Sequence, residues 1–410
     1  MKSAMKRLFP SAAISIVAAA SPAFAGYTLT TLATFNGTYG ANPEGGVTLS
    51  GSTLYGTTGG GGAYGDGEVF SLPVTGGTPT VLASFNGADG NNPYAGLTLS
   101  GSTLYGTTTA GGAYGDGTVF SLPITGGTPT VLTSFNGIDG NEPYAGLTLS
   151  GGTLYGTTYS GGAYGVGEVF SEPVAGGAPT VLASFSVATN EVYTYSGLTL
   201  SGSTLYGTSL HGGIYGYGDV FSLPTTGGTP TVLAAFNYNN GANPFTSLTL
   251  SGSTLYGTTE GGGGDGYGEV FSVPITGGTP SVLASFDVTD GEQGESNLLL
   301  YGDTLYGTTP RGSPNNDGVV YSLPITGGTP TVLVSFNGTN NGALPGLSGL
   351  IMDENGNLYG TTIDGGTNND GTVFELTPTP EPGSLALLAI GATGMILRGR
   401  KKKCGSGSPA

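Results

Sequence analysis

The chain has 410 residues, a formal net charge of −17 and a single cysteine, Cys404. Arg311 is the only basic residue between positions 26 and 379, whereas 25 of the 26 acidic residues lie in that segment. So acidic a surface repels phosphate groups, which argues against nucleic acid and anionic lipid as partners. One cysteine excludes an internal disulfide, and 81 glycines with 25 prolines favour short strands joined by tight turns.

The N-terminus has the pattern of a secretory signal peptide. Basic residues within 2–7 precede an apolar run over 8–20, and the triplet Ala23-Phe24-Ala25 follows. A basic start, a short apolar stretch and two small residues before the cut are the features of such a peptide. We therefore expect residues 1–25 to be removed before Gly26 and the protein to be exported. A buried N-terminal helix is the alternative.

A repeat occupies most of the remaining chain. The motif Leu-Tyr-Gly, followed by Thr-Thr or Thr-Ser, occurs seven times at spacings of 50 to 53 residues. Its copies begin at Leu54, Leu104, Leu154, Leu205, Leu255, Leu305 and Leu358. A fixed period of this length indicates one supersecondary unit per repeat.

Each repeat predicts four strands. In the second repeat these are GLTLS (96–100), TLYGTT (103–108), TVFSLPI (118–124) and PTVLTSF (129–135), which we call a, b, c and d. The a–b and c–d connections have hairpin length, whereas the b–c and d–a loops are longer. Strand c is apolar on both faces, as expected for a sheet packed between two others. Seven such units predict an all-β, seven-bladed β-propeller, with a stacked β-solenoid as the alternative.

The two ends of the repeat region complement each other. Residues 28–37, TLTTLATFNG, match the d segment 78–87 but precede the first a strand, and the seventh repeat, 349–377, has no d strand. We therefore predict that the N-terminal strand completes the last blade of a domain spanning 26–379. Such a closure leaves no open edge in the ring of blades.

The seventh repeat reads GLIMDENGNLYGTTIDGGTNNDGTVFEL, residues 349–376. It resembles the tandem GloVer repeat, G-L-x…G-N-L-Y-G-T-T-x-x-G-G…G-T-V-F, and the other copies follow the same pattern. The resemblance implies a propeller fold and varied C-terminal surface anchors. It carries no established activity, so no catalytic residue is transferred from it.

The b–c and d–a loops are expected to share one face of the ring, where propellers commonly place ligands. The sixth residue after each motif leucine varies: Gly60, Ala110, Ser160, His211, Gly261, Arg311 and Asp364. Arg311 could clamp an anion or substrate and His211 could act as an acid or base, with Asp364 directed to the same side. Variation at a permissive loop position is the alternative.

Two further sets of loop residues are candidates. Four aspartates precede a glycine before strand c and could hold Ca²⁺, although turn formation explains them equally: Asp66, Asp116, Asp317 and Asp370. Tyr114 and Tyr164 could stack on sugar rings, or instead pack against a neighbouring blade. We find no motif for catalysis or for a histidine or cysteine metal site, and we expect no other cofactor.

The C-terminal segment 380–403 reads PEPGSLALLAIGATGMILRGRKKK. Pro380-Glu381-Pro382 precedes 14 apolar or small residues, fewer than the about 20 that a membrane-spanning helix needs, and a basic cluster with Arg398 and Arg400 follows. The segment resembles the PEP-CTERM sorting signal of Gram-negative bacteria. That resemblance implies cleavage by an exosortase, transient insertion in the inner membrane and a host that makes exopolysaccharide.

The tail 404–410 extends beyond the basic cluster and departs from the sorting pattern, so a permanent anchor is the alternative. We expect an exported structural or binding protein of the cell surface, outer membrane or extracellular matrix, associated with polysaccharide in a biofilm. The alternative is a propeller enzyme, a glycosidase or lyase acting on polysaccharide.

Overall fold

Thirty-one β-strands and no α-helix occur in the part of the chain that the computed structural model describes, residues 24–186, 191–339 and 341–380. Residues Gly26–Thr379 form one compact unit. No helix in the described ranges is long and apolar enough to cross a membrane. Most of the predicted signal peptide, residues 1–23, and the sorting segment and tail after residue 380 lie outside those ranges.

The first six repeats each form a four-stranded antiparallel sheet in the strand order a-b-c-d, and we number these sheets blades 1 to 6. The first described strand is β1 (Phe24–Thr34). Blade 1 contains β2 (Thr48–Ser50), β3 (Thr53–Thr58), β4 (Glu68–Pro73) and β5 (Thr80–Ser84). Blade 2 contains β6 (Thr98–Ser100), β7 (Thr103–Thr108), β8 (Thr118–Pro123) and β9 (Thr130–Ser134). Blade 3 contains β10 (Thr148–Ser150), β11 (Thr153–Thr158), β12 (Glu168–Pro173) and β13 (Thr180–Ser184).

Blades 4 to 6 repeat this arrangement, with one extra ladder between β14 and β17 beside blade 4. The ladder strands are β14 (Glu191–Val192) and β17 (His211–Gly212), and blade 4 contains β15 (Thr199–Ser201), β16 (Thr204–Ser209), β18 (Asp219–Pro224) and β19 (Thr231–Ala235). Blade 5 contains β20 (Thr249–Ser251), β21 (Thr254–Thr258), β22 (Glu269–Pro274) and β23 (Ser281–Ser285). Blade 6 contains β24 (Leu299–Tyr301), β25 (Thr304–Thr309), β26 (Val319–Pro324) and β27 (Thr331–Ser335).

Blade 7 joins the two ends of the described chain. It contains β28 (Ala343–Pro345), β29 (Ile351–Met352), β30 (Leu358–Asp364) and β31 (Thr372–Pro380), and β1 lies next to β31 as the fourth strand. The additional short strand β28 also pairs with β30. This arrangement confirms the predicted seven-bladed propeller and its closure by the N-terminal strand. β1 begins at Phe24, two residues before the predicted cleavage position.

Each boundary between blades is filled by its own hydrophobic cluster, seven in all among the described residues. At its centre, the aromatic ring that directly follows strand d of one blade meets a ring of strand c in the next, edge to face, with centroids 4.9–5.3 Å apart. The pairs are Phe35–Phe70, Phe85–Phe120, Phe135–Phe170, Phe185–Phe221, Phe236–Phe271, Phe286–Tyr321 and Phe336–Phe374. This geometry is the one that aromatic quadrupoles favour.

These rings leave no space for a side chain at the glycine of each Leu-Tyr-Gly motif. Gly106 lies directly opposite Phe120 in the sheet, and a Cβ at Gly106 would lie 2.7 Å from the ring. A Cβ added to the equivalent glycine of each other blade would lie 2.5–2.7 Å from the Cζ atom of the facing ring. No side chain fits in that space, so the motif glycine is required by packing.

One blade boundary contains a buried carboxyl group. Glu172, on strand c of blade 3, is fully buried, and neither of its carboxylate oxygens has a hydrogen-bond partner among the described residues. Burial raises the pKa of Glu172 to about 7. The nearby hydroxyl of Thr133 on blade 2 donates to the carbonyl oxygen of Gly177 at 3.2 Å and so offsets only part of that shift. The same position holds an aliphatic residue in every other blade: Leu72, Leu122, Leu223, Val273, Leu323 and Leu376.

The packing of the motif glycine predicts the effect of Gly106→Ala. We expect the free energy of unfolding to fall by about 1–3 kcal/mol, because the new methyl group forces Phe120 and Leu97 apart. Chemical denaturation measures this loss. Gly60→Ala is the control, since a Cβ there has no heavy atom within 4 Å, and an equal loss in both variants would contradict the packing argument.

Glu172→Leu should stabilise the protein by about 1–3 kcal/mol above neutral pH, because it removes a buried carboxylate without partners. The folded protein retains a proton on Glu172 up to about pH 7, whereas the unfolded chain loses it near 4.5, so wild-type stability falls as pH rises between these values. The advantage of the variant should therefore shrink as pH falls toward 4.5.

Denaturation curves at several pH values test this expectation. Glu354→Gln, at an exposed position of blade 7, is the control: it retains Glu172, so its stability should change with pH as that of the wild type does. A Glu172→Leu variant that is less stable than the wild type above pH 7 would contradict the assignment.

Candidate functional site: the loop face

The d–a and b–c loops lie against each other and share one face of the ring, as predicted. Ala41 and Gly60 exchange backbone hydrogen bonds of 2.8 and 3.0 Å, and Asn91 and Ala110 do the same in the next blade. In blade 4 this contact widens into the β14–β17 ladder. We call this side of the molecule the loop face, and the side of the a–b and c–d hairpins the turn face.

The variable position after the motif is a backbone bridge in every blade. His211 pairs with Val192, Arg311 with Glu292 and Asp364 with Ala343. Because the backbone makes this contact, the side chain is free to vary, which favours the alternative of a permissive position. The side chains of His211 and Arg311 are exposed.

Arg311 and Asp364 both line a cleft between blades 6 and 7. His211 is not part of this cleft, because it lies beside blade 4. The cleft has a volume of about 600 Å³, and Asp317 also lines it. Asp66 and Asp116 belong to blades 1 and 2, whereas Asp370 lies in the b–c loop of blade 7. The described residues contain no group of three or more histidine, cysteine or acidic residues placed to hold a metal ion. The proposed Ca²⁺ ligands are therefore not gathered at one point.

Tyr114 and Tyr164 lie at the tips of b–c loops, each with 65% of its surface exposed. Tyr64 and Tyr215 occupy the same position in blades 1 and 4 and are 66% and 55% exposed. Four consecutive blades thus present a tyrosine to solvent on the loop face. Rings this exposed contribute little to packing between blades.

A second aromatic group surrounds the axis of the ring, and the sequence reasoning missed it. Tyr94, Tyr144, Tyr195 and Phe245 come from blades 2 to 5, and consecutive ring centroids are 5.1, 4.7 and 4.5 Å apart. These rings and Glu295 of blade 6 line a small cavity of about 40 Å³, which we call the axial pocket. It opens where the d–a loops reach strand a.

Polar groups close the floor of the axial pocket. The amide of Gly96 donates to Ser348 Oγ at 3.3 Å, that of Gly197 donates to Ser247 Oγ at 2.9 Å, and that of Ser247 donates to Asn297 Oδ1 at 2.8 Å. These contacts link different blades around the axis. Below them the a strands surround a further cavity of about 260 Å³.

Two carboxyl groups near the axial pocket titrate close to neutrality. Burial, together with repulsion from Glu260, raises the pKa of Glu295 to about 7, although Arg311 acts in the opposite direction. Burial also raises the pKa of Glu44 to about 7, even though the hydroxyl of Tyr94 donates a hydrogen bond to it. The pKa of Tyr94 is raised mainly by burial, and the charges of Glu44 and Glu295 raise it further. Both carboxyl groups therefore lie within electrostatic reach of the Tyr94 hydroxyl.

A different set of carboxylates is structural. Glu68, Glu168 and Glu269 begin strand c in three blades, are buried, and accept hydrogen bonds of 2.6–3.1 Å from a serine of strand d: Ser84, Ser184 and Ser285. A Cβ at Gly62 of the b–c loop would lie 2.4 Å from Glu68, so the loop covers the carboxylate. These groups tie strand d to the loop.

Comparison with known proteins supports the repeat assignment. The sequence profile of the Gloeobacter/Verrucomicrobia repeat matches residues 21–218 and 201–392. No curated protein matches the chain.

Several solved structures are similar at low identity. A protein provisionally described as a 6-phosphogluconolactonase from Bacteroides uniformis is 16% identical, with 75% of this chain and 88% of that chain covered and a TM-score of 0.49. A gluconolactonase from Xanthomonas campestris is 13% identical, with coverages of 87% and 90% and a TM-score of 0.43. A puromycin-hydrolyzing peptidase from Mycobacterium tuberculosis is 14% identical, with coverages of 82% and 52% and a TM-score of 0.48.

Identities this low carry no activity over to the present chain. The repeat profile, by contrast, spans nearly all of the propeller. The chain therefore belongs to the family defined by the Gloeobacter/Verrucomicrobia repeat.

Proposed function

We propose that the protein is exported and acts at the cell surface or in the extracellular matrix, where its loop face binds exopolysaccharide in a biofilm. The observation that carries this proposal is the aromatic surface of the loop face. Exposed tyrosines on four consecutive blades surround an inner arc of four aromatic rings. Aromatic faces stack on sugar rings, and tyrosine hydroxyls add hydrogen bonds.

The sequence supports the export part of this proposal at both ends of the chain. Residues 1–25 have the pattern of a secretory signal peptide, and 380–403 resemble a PEP-CTERM sorting segment. In this proposal an exosortase cleaves near Pro380-Glu381-Pro382 while the apolar segment holds the protein in the inner membrane. Arg398 and Arg400 keep the far end of that segment in the cytoplasm.

One observation favours the second candidate, an enzyme that acts on polysaccharide. Burial raises the pKa of both Glu44 and Glu295 to about 7, and the charge of each raises the pKa of the Tyr94 hydroxyl. Carboxyl groups tuned to neutrality are suited to act as general acids or bases. Appearance of shorter chains or unsaturated ends in the bound polysaccharide would favour the enzyme over the binding protein.

The sorting part of the proposal predicts a shortened mature protein. We expect the intact mass of the protein isolated from its host to lack everything after the Pro-Glu-Pro triplet, because 14 apolar or small residues are too few for a stable anchor. Altering Glu381, or deleting the basic cluster that contains Arg398 and Arg400, should leave uncleaved precursor in the inner membrane. A mature form that retains the tail 404–410 would identify a permanent anchor instead.

The binding part predicts that Tyr114→Ala with Tyr164→Ala weakens binding of the full-length protein to the exopolysaccharide of its host. We expect a loss of about thirtyfold, since the two stacking contacts contribute about 1 kcal/mol each. Thermal melting should be nearly unchanged because both rings are 65% exposed. The control is Tyr301→Ala, 47% exposed at the turn face. Equal binding by the wild type and the double variant would assign these tyrosines no role in recognition.

A further inference from the structure

The axial pocket differs chemically from the exposed tyrosines around it. Four aromatic side chains and one carboxylate, that of Glu295, line it together with serine, threonine and asparagine groups, and no basic residue is among its lining residues. Aromatic rings attract cations through their negative faces, and a carboxylate beside them adds a formal charge. This combination selects a positively charged organic group.

The size of the axial pocket limits what enters it. A cavity of about 40 Å³ holds a few water molecules or one small polar group, but not a pyranose ring. A primary ammonium group fits this volume, while the sugar ring that carries it remains above the aromatic rings. An acetamido group at the same position is larger and uncharged.

The surroundings of Glu295 leave its charge incompletely compensated. Its pKa is raised by burial and by Glu260 in spite of Arg311, which shows that the guanidinium group does not offset the desolvation of the carboxylate. A cation placed in the axial pocket would supply the missing stabilisation. The propeller as a whole also repels anionic ligands, because 25 acidic residues and one basic residue lie between positions 26 and 379.

The axial pocket offers too few oxygen ligands for a hard metal ion. Ca²⁺ requires six to eight oxygen ligands, whereas a single carboxylate lines the axial pocket and aromatic rings occupy much of its wall. An ammonium group needs fewer partners and gains from the rings.

We propose that the axial pocket binds the protonated amine of an amino-sugar residue, so that the polysaccharide recognised by the loop face is one with free amino groups. This inference rests on the proposed function and specifies its ligand. The amine lies against the carboxylate of Glu295 and is surrounded by Tyr94, Tyr144, Tyr195 and Phe245. The neighbouring sugars extend outward over the loop face.

Calorimetric titration of the full-length protein tests the proposal with two matched probes, a β-1,4-linked glucosamine tetrasaccharide and its fully N-acetylated counterpart, at near-neutral pH. We expect the free amine to bind at least about tenfold more tightly, the difference that one charge-assisted contact supplies. Glu295→Gln should remove most of this preference. Tyr144→Ala should weaken binding of the amine and leave the fold intact by thermal melting.

Glu354→Gln is the charge-matched control, because Glu354 is exposed in the a–b turn of blade 7, on the turn face. If Glu354→Gln weakens binding as much as Glu295→Gln, the attraction is diffuse and the axial site is wrong. Equal affinity for the two tetrasaccharides also overturns the inference but leaves the proposed function standing. Failure to bind any saccharide, including the exopolysaccharide of the host, overturns both.

A lysine tetrapeptide distinguishes a second source of ammonium groups. If it binds as tightly as the glucosamine tetrasaccharide and loses that affinity in Glu295→Gln, the axial pocket recognises a peptide and the sugar assignment is overturned. Weaker binding of the peptide, unaffected by Glu295→Gln, supports the amino-sugar.

Discussion

Contact between two aromatic rings at each boundary between blades is the interaction on which the remaining structure depends. A four-stranded sheet of this size has two apolar faces and cannot bury either by itself, so each blade is stable only between two neighbours. The seven ring pairs have nearly the same separation, 4.9–5.3 Å, and nearly the same tilt, 63–71°. A contact repeated with constant geometry turns each blade by a constant angle, and the ring closes.

The fold was predictable because its signals are local and repeated. The Leu-Tyr-Gly period gave the number of blades, and the a–b and c–d spacings gave the hairpins. The unmatched d segment, 28–37, indicated closure, since its only possible partner was a blade that lacked one strand. The β14–β17 ladder and the strand β28 were not predicted, because they are backbone contacts between loops whose side chains vary from blade to blade.

The candidate site was predictable only in part, for a physical reason. Single loop residues such as Tyr114 and Arg311 could be placed on the correct face from the alternation of strands. The axial pocket, in contrast, is assembled from side chains about 50 residues apart, and it exists only after the ring has closed. A sequence signal was present: Tyr94, Tyr144 and Tyr195 stand at the same offset before strand a. Their convergence on one axis depends on the direction of each side chain in the closed ring.

The closing blade also determines how the molecule bears mechanical load. β31 ends at Pro380 and lies between β30 and β1, so the first and last strands of the propeller are neighbours in one sheet. A pull on the chain beyond Pro380 acts along β31 and shears its hydrogen bonds to both neighbours together, whereas a pull across a sheet edge would open them one at a time. A load applied at that end is therefore carried by the strand with hydrogen-bonded neighbours on both sides. The same latch cannot form until β31 has been synthesised, so ring closure waits for the last strand of the repeat region.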